Sequence, residues 1–467
     1  MKERADRHNH FRLRWIAIAF VIAATAMPML PGDANAQTED AAALQQRVDE
    51  LTEDLEQAKE ELEAAEREAT AASEKAAEAE AARSPIQIGP LTIGGAIRAN
   101  YIRGDYEEVI NGPSRGGDGG NFELDTFRIN MALNYRQLIG KFEYRWYDGY
   151  NFLHTGWLGW KFEDESQVQA GVTRVPFGPG PYGVSQSWFF DQHYYVGLSD
   201  DMDLGVKYVT KRGNWDLDLA YFISSEGHWR GASRDSARYS YDAVKWKFGL
   251  DQDGNVIDAP YNGYSEQNQL NARAVYGFEN VSVPTDLGVS LQYGQLDGRR
   301  ADNGDQWAAS VHMINRLYGF TLASQLTRYE IDIDDDNELG TDKLIVMGAY
   351  DFAWPVATEA WIPAVSLSYK YDTTSIPWLD YVLPYIEYSS IVKDESEFND
   401  SQLFILGAAW ARGGWYIYSD LAFSDGNYFV GDQGDNFSNI FDGVGDFGAN
   451  GNDEWNYRFN INFGYYF

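Results

Sequence analysis

Three arginines lie in stretches where apolar and polar residues alternate, and their placement is the first indication of chemistry. Arg128 lies between Phe127 and Ile129, and Arg145 and Arg98 have similar surroundings in the neighbouring stretches. Successive side chains of a β-strand point to opposite faces, so all three guanidinium groups lie on the face away from the apolar one. A row of such groups raises the local concentration of anions. The spacing therefore predicts a basic stripe on the polar face of three neighbouring strands.

Further charged residues on the same face leave two interpretations open. Lys207 and Arg458 extend the basic set to later stretches. The acids on this face are Glu143, Asp216, Asp218, Glu387 and Asp420. If Glu143 pairs with Arg145, the charges form a salt-bridged wall instead of an attracting stripe.

Alternation of this kind repeats from residue 84 to residue 467 and predicts an all-β fold. In the last stretch one face is almost entirely aromatic: Trp455, Tyr457, Phe459, Ile461, Phe463, Tyr465 and Phe467. The chain is 15% aromatic, yet its mean hydropathy is only −0.45. This combination is typical of a transmembrane β-barrel, whose outer face meets lipid and whose inner face meets water.

The number of strands follows from the alternating segments. We count seventeen of them, and bacterial single-chain barrels use an even number of strands. We therefore predict sixteen antiparallel strands, with eighteen as the alternative. The two least certain segments are 341–353 and 361–372.

One long connection has an unusual composition. Residues 175–200 combine prolines and glycines with a cluster of aromatic residues, and they include Asp191 and His193. A sixteen-stranded barrel has a wide lumen, so folding this loop inward would bury the aromatic residues. We predict an inward loop that narrows the pore, with Asp191 and His193 as candidate pore residues. An extracellular cap is the alternative.

Two segments precede the barrel. Residues 1–36 carry a basic start, a short apolar run and a small-x-small site, which predict a signal peptide. An uncleaved anchor is the alternative. Residues 37–83 carry six apolar heptads and predict a coiled coil about 63 Å long. A single charged helix or a disordered linker is the alternative. A coiled coil before the first strand would stand in the periplasm.

Several functional classes are disfavoured by composition and spacing. The net charge of −34 argues against nucleic-acid binding, and the absence of cysteine excludes thiolate chemistry. The six histidines show no metal-ligand spacing, and no nucleophile motif is present. The acidic loops fail the calcium-loop template and are interpreted as solvated charge. We predict no enzyme activity, no metal and no cofactor; a barrel lipase with a Ser/His pair is the remaining enzymatic alternative.

One motif resembles a known family. Residues 171–178, with the sequence G-V-T-R-V-P-F-G, are similar to the G-x-x-K/R-x-P-F-G motif of the phosphate-selective porins O and P. K-F-E-Y-R at 141–145 and G-W-L-G-W at 156–160 precede it in a similar order. The resemblance covers about 90–467. It implies a trimeric sixteen-stranded porin with an inward loop after the fifth strand, and it places Arg174 at the family's basic position.

These features predict an outer-membrane porin for small hydrophilic solutes or ions, with the coiled coil in the periplasm. The solute is left open between phosphate, another anion and a neutral sugar. The expected partners are two further copies of the chain, membrane lipid and the barrel assembly machinery, which would recognise the C-terminal Phe467. The alternative function is a tether, in which the coiled coil reaches the cell wall and the barrel serves mainly as an anchor.

Overall fold

The computed structural model describes residues 86–106, 120–250, 256–260, 262–279, 281–337, 339–373, 376, 378–431 and 454–467. The predicted signal peptide (1–36) and coiled coil (37–83) lie outside the described residues. No helix in these ranges is long and apolar enough to cross a membrane.

Sixteen antiparallel strands form one closed sheet, as predicted, and each strand pairs with the next along the chain. The sheet closes where β1 pairs with β16, from Ala96 opposite Tyr466 to Gly104 opposite Arg458. The strands are β1 Leu91–Gly104, β2 Asn121–Tyr135, β3 Leu138–Trp146, β4 Asn151–Lys161, β5 Gln167–Arg174, β6 Met202–Arg212, β7 Trp215–Ser225, β8 Tyr264–Phe278, β9 Thr285–Gly298, β10 Gly304–Leu317, β11 Phe320–Asp332, β12 Glu359–Tyr369, β13 Tyr381–Lys393, β14 Ser401–Arg412, β15 Trp415–Asp425 and β16 Trp455–Tyr466.

The alternation in the sequence becomes the inner and outer faces of the wall. On β9 the side chains of Leu287, Val289 and Leu291 are exposed on the outside, whereas Ser290 and Gln292 are buried on the inside. The other strands repeat this arrangement, so aliphatic and aromatic side chains cover the outer surface. A closed sheet also leaves no unpaired strand edge.

The connections differ sharply between the two ends of the barrel. At the turn end, tight turns such as Tyr318-Gly319 join the strands, and both of these residues have positive φ, 51° and 83°. Two-residue turns of this handedness match the twist of paired strands. At the loop end the connections are long and include residues 175–201, 226–263 and 333–358. A ribbon of Trp246–Leu250 and Val256–Pro260 belongs to the second of these.

The hydrophobic core lies inside the barrel at the loop end, where four connections pack together. These are residues 175–201, 226–246, 344–357 and 426–430, and we call this assembly the plug. Its largest buried side chains include Trp354, Tyr241, Tyr428, Phe189 and Phe352. A sixteen-stranded wall is too wide for its own inward side chains to fill, so folded-in connections supply the packing.

One predicted strand is wrong, and its residues belong to the plug. Segment 361–372 corresponds to β12, but segment 341–353 supplies no strand to the wall. Instead, Leu344–Ala349 and Phe352–Ala357 form a hairpin, and Asp242–Ala243 pairs with its first strand. Both faces of this hairpin are buried, so its apolar residues satisfy packing inside the barrel instead of contact with lipid.

Candidate functional site: charged residues on the inner wall

The first arginine of the predicted stripe is held by an aspartate that a β-bulge turns inward. Nε of Arg98 donates to Oδ2 of Asp125 at 2.6 Å. Arg98 pairs with Thr126 and Ala99 with Leu124, so Asp125 is the extra residue between them. A bulge of this kind redirects a side chain. The same Oδ2 accepts a hydrogen bond from Asn462 at 2.7 Å, which links β1, β2 and β16 on the inner face.

A second carboxylate gathers the other two arginines. Nε of Arg145 donates to Oε1 of Glu143 at 2.6 Å, and Arg128 reaches the same oxygen at 3.4 Å. Arg128 and Arg145 lie directly opposite each other on β2 and β3. Nδ1 of His154 is 3.7 Å from this Oε1, and His154 is the extra residue of a second bulge between β3 and β4.

A third pair joins the wall to the plug. Arg174, at the end of β5, contacts Oδ1 of Asp200 at 2.7 Å, and the hydroxyl of Tyr239 donates to the other oxygen at 2.7 Å. The guanidinium of Arg145 stacks over the Tyr239 ring at 4.4 Å. Lys207 donates to the backbone carbonyl of Arg174 at 2.7 Å. These contacts hold the basic residues Arg145, Arg174 and Lys207 against the side of the plug that faces the turn end of the barrel.

The pKa of Asp200, which lies in the inward loop, is lowered in the folded chain. Burial opposes the ionisation of Asp200, but Arg174, His154, Arg145 and the Tyr239 hydrogen bond together outweigh it and hold the pKa of Asp200 below its usual value. The charged pair is therefore the stable form at neutral pH.

The two candidate residues of the inward loop hold the loop in place and do not line open space. Oδ1 of Asp191 accepts from the backbone N–H of His193 at 3.0 Å and lies 2.9 Å from its Nδ1. Nε2 of His193 lies 2.8 Å from Oγ1 of Thr327 on β11. Both side chains are almost completely buried. The loop therefore crosses the inside of the barrel and is anchored to the far wall.

Arg458 has a similar structural role. It is fully buried and donates to the carbonyl oxygen of Phe429 at 3.1 Å. Its guanidinium stacks over the rings of Trp188 and Phe189 at 5.0 and 5.2 Å. Arg458 pairs with Gly104 at the loop end, away from Arg98 on the same seam.

Further inner residues position the loop, and one of them, Arg273, was absent from the sequence prediction. Arg273 on β8 donates to the backbone oxygen of Gly178 at 2.7 Å and to Asp218 at 3.0 Å. Glu387 on β13 accepts from the hydroxyl of Ser185 at 2.6 Å. The acids Asp218 and Glu387 were considered as neutralising charges, whereas Arg273 was not identified. Its inward position follows from the alternation of β8 around it, which is the signal that would have found it.

We call the ion-paired residues of the inner wall the charged band: Arg98, Asp125, Arg128, Glu143, Arg145, Arg174 and Asp200. The remaining exposure of their side chains shows where water reaches this band. The side chains of Arg98, Arg128 and Glu143 retain 19%, 20% and 18% of their exposure, and Arg174 retains 36%. The band therefore faces water below the plug, although each acid neutralises part of it. Arg128 has the longest contact to an acid among the four arginines Arg98, Arg128, Arg145 and Arg174, and it shares Glu143 with Arg145, so its charge is the least compensated of the four.

No family model matches the chain, and no curated protein sequence matches it. Among solved structures, the fold is similar to OmpT, an outer membrane protein of Vibrio cholerae, at 14% identity and a TM-score of 0.49, with 82% of this chain and all 100% of that chain covered. The outer membrane channel DcaP of Acinetobacter baumannii is 10% identical, with a TM-score of 0.49 and coverage of 81% and 97%. An anion-selective porin from Comamonas acidovorans is 11% identical, with a TM-score of 0.48 and coverage of 81% and 99%. The function is therefore inferred from the geometry of this barrel itself.

Proposed function

We propose that the chain is an outer-membrane channel for passive diffusion of small hydrophilic solutes, and that its charged band favours anions. The proposal rests on the difference in chemistry between the outer and inner faces of the barrel wall. The outside is covered with exposed aliphatic and aromatic residues, while water-facing charges such as Arg98, Arg128 and Arg174 line the inside. A sheet that closes on itself with these two faces suits lipid outside and water within.

The preference for anions rests mainly on Arg128 and on the part of the band that water reaches. A unit charge about 5 Å from an ion in water is worth about 0.8 kcal/mol. That energy corresponds to about a fourfold change in the local concentration of each ion before salt screens it. Phosphate selectivity would need more than this, because Arg174, which occupies the basic motif position, is already paired with Asp200.

The test is the reversal potential of single channels in a KCl gradient. Changing Arg98, Arg128 and Arg145 to Gln should shift selectivity toward cations, and Arg128→Gln alone should shift it in the same direction. A matched control removes the same charge from exposed arginines at the turn end, through Arg212→Gln, Arg316→Gln and Arg412→Gln.

Two results would count against the proposal. A correctly folded barrel that gives no stepwise conductance would exclude the channel. A permeability ratio unchanged by the triple variant would show that the band is only a salt-bridged wall. If the ratio is unchanged and neutral sugars still compete with ion flow, a sugar-preferring channel becomes the better description.

We also propose that three chains assemble, with their coiled coils together in the periplasm. Six apolar heptads need partners for their seam, and a cyclic trimer of barrels would bring three N-termini close together. A coiled coil about 63 Å long could reach the cell wall, so a tethering role can accompany the channel. Crosslinking of the purified protein tests the number of chains, because dimers alone would contradict the three-fold arrangement.

A further inference from the structure

Five acidic side chains outside the charged band meet inside the barrel, at the edge of the plug. They come from four separate parts of the chain: the end of the inward loop and the start of β6, the residue after β7, the short strand that pairs with the hairpin, and β8. All are buried, with exposed fractions between 1% and 7%: Asp201, Asp203, Glu226, Asp242 and Glu266.

Three of these carboxylates converge on one point. Asp201, Asp203 and Asp242 each present an oxygen atom, and these oxygens all lie within 4.8 Å of one another. Glu226 and Glu266 are near enough for their charges to act on Asp242. Carboxylate oxygens repel one another at such distances unless a positive charge lies between them.

The orientation of each carboxylate points to a shared ligand. One oxygen of Asp203 accepts from Nε2 of Gln269 at 2.9 Å, and one oxygen of Asp242 accepts from Arg238 at 2.7 Å. One oxygen of Glu226 accepts from the backbone N–H of Ser240 at 2.8 Å. The second oxygen of each, like Oδ1 of Asp201, is buried and receives no hydrogen bond from a donor among the described residues. The carboxyl groups of Glu226 and Asp242 also lie within hydrogen-bond reach of each other.

The positive charge beside the cluster is insufficient to neutralise it. Arg238 contacts Asp242, but it also contacts Asp235 at 3.1 Å. At least three carboxylates are therefore left without a cationic partner among the described residues. Burying an ionised carboxylate without a partner costs several kcal/mol, and the group must gain a proton or a cation.

We propose that this cluster binds one divalent cation, and that the cation is Ca²⁺. Three carboxylate oxygens converge here, and Ca²⁺ takes six to eight oxygen ligands, which carboxylates share with carbonyl groups and water. Mg²⁺ keeps more of its water and favours fewer protein ligands, so a buried cage of several carboxylates suits Ca²⁺ better. The cation would fasten the end of the inward loop to segment 226–246. Since Asp242 pairs with Gly348, it would also hold the hairpin of the plug.

The experiment uses the full-length chain, folded in detergent, treated with EDTA and titrated with CaCl₂ by calorimetry. We expect one Ca²⁺ per chain, with Mg²⁺ binding at least tenfold more weakly. Asp201→Asn with Asp203→Asn should weaken Ca²⁺ binding at least a hundredfold. The matched control is Asp334→Asn with Asp335→Asn, which removes two acids from an exposed loop and should leave binding unchanged.

Three results would overturn the proposal: no Ca²⁺ binding by the EDTA-treated chain, equal binding by both double variants, or equal affinities for Ca²⁺ and Mg²⁺. If the first variant does not fold, the unfolding temperature of the unaltered chain decides the question. Ca²⁺ above EDTA levels should raise that temperature because it binds only the folded form. An unchanged unfolding temperature would mean that the carboxylates share protons instead of a cation.

Discussion

Replacing Trp354 with alanine should loosen the hairpin of the plug without disturbing the barrel wall. Trp354 is 1% exposed, and its ring packs against Tyr241 at 4.8 Å and Tyr428 at 5.7 Å, measured between centroids. These rings belong to two other connections, so the tryptophan joins three segments of the plug.

The size of the effect follows from the burial of this side chain. Truncating a buried tryptophan to alanine costs about 3–5 kcal/mol. About 1.4 kcal/mol corresponds to a tenfold change in an equilibrium constant. The equilibrium constant for local opening of the hairpin should therefore rise by at least about 10²- to 10³-fold. The wall is held by a continuous backbone ladder and should open no more often than before.

Hydrogen exchange measures this opening directly. In the protein with Trp354→Ala, the backbone amides that pair Leu344–Ala349 with Phe352–Ala357 should exchange about 10²- to 10³-fold faster, while those of β13 and β14 should not change. Single-channel records should show a larger or more variable conductance, because the plug occupies the loop end of the lumen. Trp378→Ala is the control, since Trp378 is 65% exposed.

Equal exchange in the Trp354 and Trp378 variants would refute the argument, because it would mean that the tryptophan does not hold the hairpin. Faster exchange with unchanged conductance would instead show that the hairpin does not limit ion flow. The two measurements therefore separate the packing of the plug from its role in permeation.

Two further predictions concern pH and assembly. Because the pKa of Asp200 is lowered in the folded chain, its pairing with Arg174 stabilises the protein above about pH 4 and is lost as pH falls through the folded-state value. The gap in unfolding temperature between the unaltered chain and Asp200→Asn should therefore narrow between about pH 6 and pH 2; a constant gap would contradict this. Changing Leu51 and Leu55 to Asp should reduce the helical signal in circular dichroism and leave the barrel folded, and an unchanged signal would argue against the coiled coil.

The number of strands and the face to which each side chain points could be predicted because every wall strand meets the same requirement. Every wall strand must present apolar residues to the outside and polar residues to the inside, so the same period-two pattern occurs sixteen times. The hairpin was misassigned because its residues are apolar on both faces. Its turn also lacks a usual signal: Tyr350 and Asp351 both have positive φ, 49° and 66°, with no glycine or asparagine.

The pairing within the charged band was harder to predict than its position. The inward direction of Arg98, Arg128 and Arg145 follows from alternation, but Asp125 and His154 reach the inner face through β-bulges. One clue was available in the sequence. Leu124 and Phe127 are both apolar but lie three residues apart, so they can both face the outside only if a β-bulge inserts an extra residue between them. The acidic cluster offered no such clue, since its members come from four separate parts of the chain and meet only after the connections fold inward.

The length of the hairpin has a consequence for how barrels of this kind can change in size. Each of its strands has six residues, whereas a strand that crosses a membrane needs about nine to eleven. Two additional strands between β11 and β12 would give eighteen, which preserves the even count and the antiparallel order. Lengthening each strand of the hairpin by a few residues that alternate between apolar and polar would therefore move the hairpin from the plug into the barrel wall. The narrowed barrel described here and a wider one would then differ by only a few residues in each strand of the hairpin.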